Sequence, residues 1–224
     1  ILMAEKYFRN IPDFDYVNRT KNGQSISDYT QVKNIFKRGK LREDIFGDLT
    51  FFTKYQIVGD KRPDEVAYDV YEDENLDWVV LLSNNIVNLA TEWPWSQEAF
   101  DNYLNNKYGS TEKIYETRHH ETNLIEDSNG KTIIPEGLIV PSDYSMSFFD
   151  EGLNQMVTRS SVYPVSNYIY ETRIQDAKRN IFLLKPLYVG LVIEDQQDFM
   201  PYTPGSSQYV SDRLVRGENI RLYS

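Results

Sequence analysis

The sequence predicts an α+β protein, a small strand-helix-helix-strand core with extended segments before and after it. Three observations carry that expectation. A β-rich run from Leu49 to Val58 is followed within about 35 residues by two short amphipathic helical patterns. Further on, Asn129-Gly130 sits between β-branched runs, which is a hairpin signal. The first 48 residues scatter Phe8, Ile11, Phe14 and Tyr16 around Pro12 and an Asn22-Gly23 turn signal, without a sustained period. The expected segments are an N-terminal arm (1–48), the core with a following helix and strand (49–120), a hairpin and irregular insert (121–167), and a C-terminal segment (168–224).

Each element has a local reason. Ser27 to Arg42 has Tyr29, Val32 and Phe36 at helix spacing, with Gly39 as a stop. Its Lys33, Lys37, Arg38, Lys40 and Arg42 form a basic stripe that suits a protein-facing or a solvated face equally. In the strand, Tyr55 and Ile57 alternate with Lys54 and Gln56. Gly59-Asp60 breaks it. Pro63 suits the first helical position, where its missing N–H costs nothing, and Asp64 and Glu65 complement the helix dipole. Val66, Ala67, Val70 and Tyr71 make one apolar face. After an acidic turn at 72–75, the pattern from Leu76 to Asn84 turns Trp78, Val79, Leu81 and Leu82 inward. Ser96 caps a helix that runs through Tyr108 and stops at Gly109. Lys113 to His119 reads as a strand, 141–166 as turn-rich and irregular, Tyr168 to Asn180 as a helix, Ile181 to Leu184 as a short strand, and Pro186 to Phe199 as a helix. Arg216 to Tyr223 reads as a terminal turn and strand.

Composition narrows the function. The chain has 224 residues, 40% hydrophobic and 26% charged, which is ordinary for a globular protein. No apolar run reaches the roughly 18 uncharged residues of a membrane-spanning helix. With no cysteine and only two histidines, disulfide frameworks, thiol nucleophiles and His-rich metal sites are excluded. Ile1-Leu2-Met3-Ala4-Glu5-Lys6 lacks the apolar core of a secretory signal, and the true start is expected upstream or at Met3. A net charge of −10 argues against nonspecific binding to nucleic acid. That charge is uneven: residues 1–58 carry +3, whereas Gly59 to Leu82 carries −6. The 17 tyrosines suit a surface covered in a complex.

Catalytic and metal motifs fail on their own geometry. Asp73-x-Asn75-x-Asp77 copies the start of a calcium loop, but Trp78 stands where the sharp turn needs Gly and Asn84 where the bidentate Glu belongs. A helix-capping turn accounts for it better. Gly130-Lys131-Thr132 resembles the end of a phosphate loop, yet its first glycine position is Ile125. His119 and His120 point to opposite faces of a strand and cannot chelate together. No G-x-S-x-G elbow is present. No catalytic residue, metal, cofactor or small-molecule substrate is expected.

The stretch Tyr55-Gln56-Ile57-Val58-Gly59-Asp60 through Leu81-Leu82-Ser83-Asn84-Asn85 resembles a LysM module, with Tyr55, Ile57, Gly59, Pro63, Val66, Val70, Trp78, Leu81, Leu82 and Asn84 as its core positions. That likeness alone implies a protein binding peptidoglycan or chitin, which is the alternative reading of function. A LysM module has a second strand beside the first, and Lys113 to His119 or Gly217 to Leu222 could supply it, the former preferred. Trp78, placed among Val79, Leu81 and Leu82, suits core packing better than stacking on a sugar.

A wider resemblance takes precedence. Arg62-Pro63-Asp64-Glu65-Val66-Ala67, Tyr71 and Asp77-Trp78-Val79-Val80-Leu81-Leu82-Ser83-Asn84 are similar to a stretch of the baseplate wedge protein 53 family of T-even-type contractile-tailed phages. Trp95-Ser96-Gln97-Glu98-Ala99, Lys107-Tyr108, Tyr170-Glu171 and Lys178-Arg179-Asn180-Ile181-Phe182-Leu183-Leu184-Lys185 extend the likeness in the same order. The resemblance implies a virion protein of the tail baseplate, assembled in the host cytoplasm, that joins neighbouring wedges and other wedge subunits in a six-wedge ring around the tail hub. Candidate contact residues are Lys33, Lys37 and Arg38 of the basic stripe, Asp64, Glu65, Asp69 and Glu72 of the acidic face, and Trp93, Trp95, Lys178, Arg179 and Phe182. A basic arm meeting the next copy's acidic face would suit a ring, in which each subunit shows different surfaces to its two neighbours.

Overall fold

The computed structural model describes residues 6–17, 29–205 and 209–216, and it is an α+β fold of two compact units. Unit 1 comprises the described residues of 1–92 and 180–224; unit 2 is Trp93–Arg179. In chain order, unit 1 begins with α1 (Tyr7–Asn10), β1 (Asp13–Val17), β2 (Tyr29–Lys33), α2 (Glu43–Phe46), β3 (Phe52–Gln56), α3 (Pro63–Tyr71), α4 (Asp77–Ser83) and α5 (Leu89–Glu92). Unit 2 contains α6 (Gln97–Tyr108), α7 (Thr111–Tyr115), β4 (Thr117–Thr122), β5 (Ile125–Glu126), β6 (Thr132–Ile134), β7 (Ile139–Val140), β8 (Met146–Asp150), β9 (Gln155–Arg159), β10 (Val162–Ser166) and α8 (Asn167–Lys178). The chain returns to unit 1 for β11 (Asn180–Leu184), α9 (Pro186–Phe199), β12 (Tyr209–Ser211) and β13 (Leu214–Arg216).

The centre of unit 1 is β3-α3-α4-β11. Pro63 opens α3, and the Glu65 carboxylate accepts the Arg62 N–H at 2.8 Å, satisfying a donor at the helix start. Gly59 turns the chain at a φ of +70°, where a Cβ would be strained. Val66, Ala67, Val79 and Val80 are wholly buried, and α4 packs on both α3 and β11. The acidic turn caps: Asp73 Oδ1 accepts the Asn75 N–H at 2.9 Å, and Asp77 Oδ1 accepts the Trp78 N–H at 2.8 Å.

The strand beside β3 is β11, antiparallel, with Ile181 opposite Tyr55 and Leu183 opposite Thr53. This corrects the expectation that Lys113 to His119 supplies it. That segment is helical over Thr111–Tyr115 because Ser110 caps it, and the strand that follows pairs with β10 and β7 in unit 2. The other expected segment, Gly217 to Leu222, lies outside the described residues, as do the Asn22-Gly23 turn and most of the terminal strand read at 216–223.

The first 48 residues do more than trail. Ile11, Leu41 and Ile45 are buried, and β1 pairs antiparallel with β2 and parallel with β13. Over 29–33 the backbone is a strand and not the expected helix, because Tyr29-Thr30-Gln31-Val32-Lys33 is β-prone and finds a partner in β1. Gly39 is not a helix stop. A Cβ there would lie 2.0 Å from the Gln196 side chain, so glycine permits that close approach.

Unit 2 has two small cores. Phe100, Leu104 and Ile114 pack with Trp95, Tyr103, Tyr108 and Tyr168 around α6, α7 and α8. Ile125, Ile134 and Phe148 pack with Ile133, Tyr144 and Val157 around the hairpin strands. The β5–β6 hairpin turns at Asn129-Gly130 as expected. The span read as irregular, 141–166, contains the β8–β9 hairpin and β10.

Candidate functional site

The surface of unit 1 carries a groove of about 530 Å³. Tyr7, Phe8 and Ile11 from the N-terminal segment line it, with Ile35, then Trp78, Leu81 and Leu82 from α4, and Ile86 and Val87 beyond it. Phe8, Ile35 and Val87 are about two-thirds exposed, and the adjacent Phe36 is 93% exposed. Trp78 is buried beneath, its ring 5.9 Å from that of Tyr7, and its indole N–H has no acceptor among the described residues. Glu74 and Asp77 supply acid to the lining; burial raises the Asp77 pKa.

The basic stripe is divided by the fold. Lys33 Nζ pairs with Asp13 Oδ1 at 2.8 Å and donates to the Ile11 carbonyl at 3.0 Å. Lys37 Nζ donates to the Pro201 carbonyl at 2.7 Å and lies 4.9 Å from the centre of the Tyr202 ring; burial lowers its pKa. Arg38 reaches Asn85 Oδ1 at 3.4 Å and the Ile86 carbonyl at 3.2 Å from an exposed position. On the acidic face, Asp64 pairs with Arg62 at 3.2 Å, Glu65 caps its helix, and Asp69 pairs with Lys61 and accepts from the Tyr55 hydroxyl. Glu72 ends α3 in the left-handed region at a φ of 58° with its side chain exposed.

Two pairs of the segments that carried the resemblance meet in space. In unit 1, Asn84 donates to the Phe182 carbonyl and accepts the Phe182 N–H, both at 2.8 Å. In unit 2, the buried Glu171 carboxylate takes hydrogen bonds from Lys107 at 2.7 Å, Tyr108 at 2.8 Å and Tyr103 at 3.3 Å. Burial, the largest influence on Glu171, raises its pKa, but these donors outweigh it and hold it low. Trp93 is buried; the Trp95 ring lies 4.7 Å from Tyr103, with Lys178 Nζ 4.8 Å from the centre of the indole. Arg179 sits 3.8 Å from Asp176.

Sequence reasoning missed a second buried carboxylate. Glu121 on β4 accepts two bonds from Arg173 Nη1, each at 2.8 Å, one from the Tyr163 hydroxyl at 2.7 Å, and lies 2.8 Å from His119 Nε2. Burial pushes its pKa up, yet the His119, Arg173 and Tyr163 contacts together bring it down to about 2. A carboxylate so saturated and so acidic is a poor general base near neutral pH. The His119-x-Glu121 spacing, which puts both side chains on one face of a strand, was the available signal; its partners on β10 and α8 had none. Asp150 likewise accepts from Ser128 and from the Gly152 and Leu153 N–H groups, tying the β8–β9 turn.

The family described as base plate wedge protein 53 matches residues 7–180. The chain belongs to that family. Base plate wedge protein 53 is a phage structural component, so the family places this chain in the tail baseplate of a virion, among other baseplate proteins. No curated protein matches the chain. Within the 53 family match fall the groove, the acidic face of α3 and both carboxylate networks.

Proposed function

We propose that this wedge protein joins neighbouring wedges, and other wedge subunits, around the tail hub, and that the groove face of unit 1 is one of its joining surfaces. Family membership supports the general role. The observation that carries the joining surface is the run of exposed apolar side chains Phe8, Ile35, Phe36 and Val87 at the groove, since so much apolar surface in one place marks an interaction site.

The acidic residues Asp64, Glu65, Asp69 and Glu72, together with Trp95, Lys178, Arg179 and Phe182, remain candidate contacts with other subunits. A basic-to-acidic contact between copies rests mainly on Arg38, because Lys33 and Lys37 already bond within their own unit. In a six-wedge ring, the groove would meet a different surface on the next wedge, a heterologous contact that closes by rotation.

Co-sedimentation with purified baseplate wedge proteins tests this. Ile35→Asp combined with Phe36→Asp should weaken co-assembly about tenfold or more while leaving thermal unfolding unchanged, as both side chains face solvent. Undiminished co-assembly would remove the groove face from the joining role. Lys33→Glu should instead lower the unfolding midpoint by setting two carboxylates together at Asp13.

A further inference from the structure

The two-stranded sheet of unit 1 has two outer edges, treated differently by the fold. Lys185 N–H donates to the Phe51 carbonyl at 2.9 Å, which sets the phase of the ladder. Leu183 with Thr53 and Ile181 with Tyr55 then exchange the bonds between strands, while Phe182, Leu184, Phe52 and Lys54 turn their backbone groups outward. On β11 three of those four outward groups are occupied. Asn84 takes both the N–H and the carbonyl of Phe182, and the Tyr71 hydroxyl donates to the Leu184 carbonyl at 2.8 Å.

On β3 the Phe52 N–H is taken by the Leu49 carbonyl, but the groups beyond it are open. Among the described residues, the N–H and carbonyl of Lys54 and the N–H of Gln56 have no partner, and β3 pairs only with β11. The side chains of Thr53, Lys54 and Gln56 are exposed, and Lys54 has no ion-pair partner among the described residues. An unpaired strand edge is a template for another backbone.

We propose that β3 accepts an extended segment of another baseplate protein, which adds as a third strand and sets a carboxylate opposite Lys54. A second copy pairing antiparallel in register would set Lys54 against Lys54, and like charges directly opposite are unfavourable. That register is unfavourable for a second copy, whereas an acidic partner strand complements Lys54. This inference rests on the reading of the chain as a wedge component.

Hydrogen–deuterium exchange on the full chain, alone and co-assembled with wedge proteins, tests it. Alone, the Lys54 and Gln56 amides should exchange freely while Thr53 and Tyr55 are protected by the β11 ladder. In the assembly, Lys54 and Gln56 should slow about tenfold or more. Co-assembly with those amides still exchanging freely would overturn the strand addition and leave the wedge role intact; failure to co-assemble at all would overturn both. Protection that instead rises with concentration of the isolated chain would overturn it in favour of self-pairing. Lys54→Pro removes the outward N–H without taking a bond from the β11 ladder, so it should weaken co-assembly about tenfold at an unchanged unfolding midpoint. If that variant does not fold, Lys54→Glu keeps the backbone and reverses the charge, and should weaken co-assembly as well. Unaltered co-assembly by the folded variant overturns the proposal.

Discussion

Asn84 does three things with one amide. It donates to the Val80 carbonyl at 2.9 Å near the end of α4, donates to the Phe182 carbonyl, and accepts the Phe182 N–H. An aspartate could not donate, and a serine has one donor where two are used. Asn84→Ala leaves two strand groups and a helix carbonyl without this partner, and should cost about 1–3 kcal/mol in urea unfolding. The position was visible in the sequence as the asparagine ending the second helix. That it seals a strand almost a hundred residues away was not. Lys33 and Lys37 teach the converse lesson: they and Arg42, members of one basic stripe in sequence, make contacts within unit 1.

At the level of elements, β4, β10 and α8 are held together by the Glu121 carboxylate and its donors His119, Tyr163 and Arg173. The folded carboxyl titrates at about 2, below the roughly 4.3 of an unfolded glutamate. Its contribution is therefore fully present above that unfolded value, and is lost as the pH falls from there through about 2. Unit 2 should lose stability across that acid window, followed by near-ultraviolet dichroism. Arg173→Leu should cost about 1–3 kcal/mol at neutral pH and make the acid-linked loss shallower, since less of the depression of Glu121 survives. An acid titration identical to that of the unaltered chain would contradict this account.

On the scale of the molecule, unit 2 is an insertion between α5 and β11, and the Asn84–Phe182 contact closes unit 1 across it. Replacing Trp93–Arg179 with a flexible Gly/Ser linker of about ten residues should leave unit 1 able to fold, as judged by a single cooperative urea transition. A chain that stays unfolded would show that unit 1 depends on the insertion. The pairing of β3 across that interval is a contact of high sequence separation, and loop closure makes such contacts expensive to form first.

Local chemistry alone determined much of this protein: Pro63 and Glu65 start α3, Ser96 starts α6 with Gly109 after it, and Asn129-Gly130 turns a hairpin. Those signals act over a few residues through caps and turns, so they need no distant partner. Only tertiary structure decided the partner of β3, the strand over 29–33, and the donors gathered on Glu121 and Glu171. Strand pairing and burial of a carboxylate depend on which distant backbone or side chain arrives, and no short-range pattern encodes that arrival.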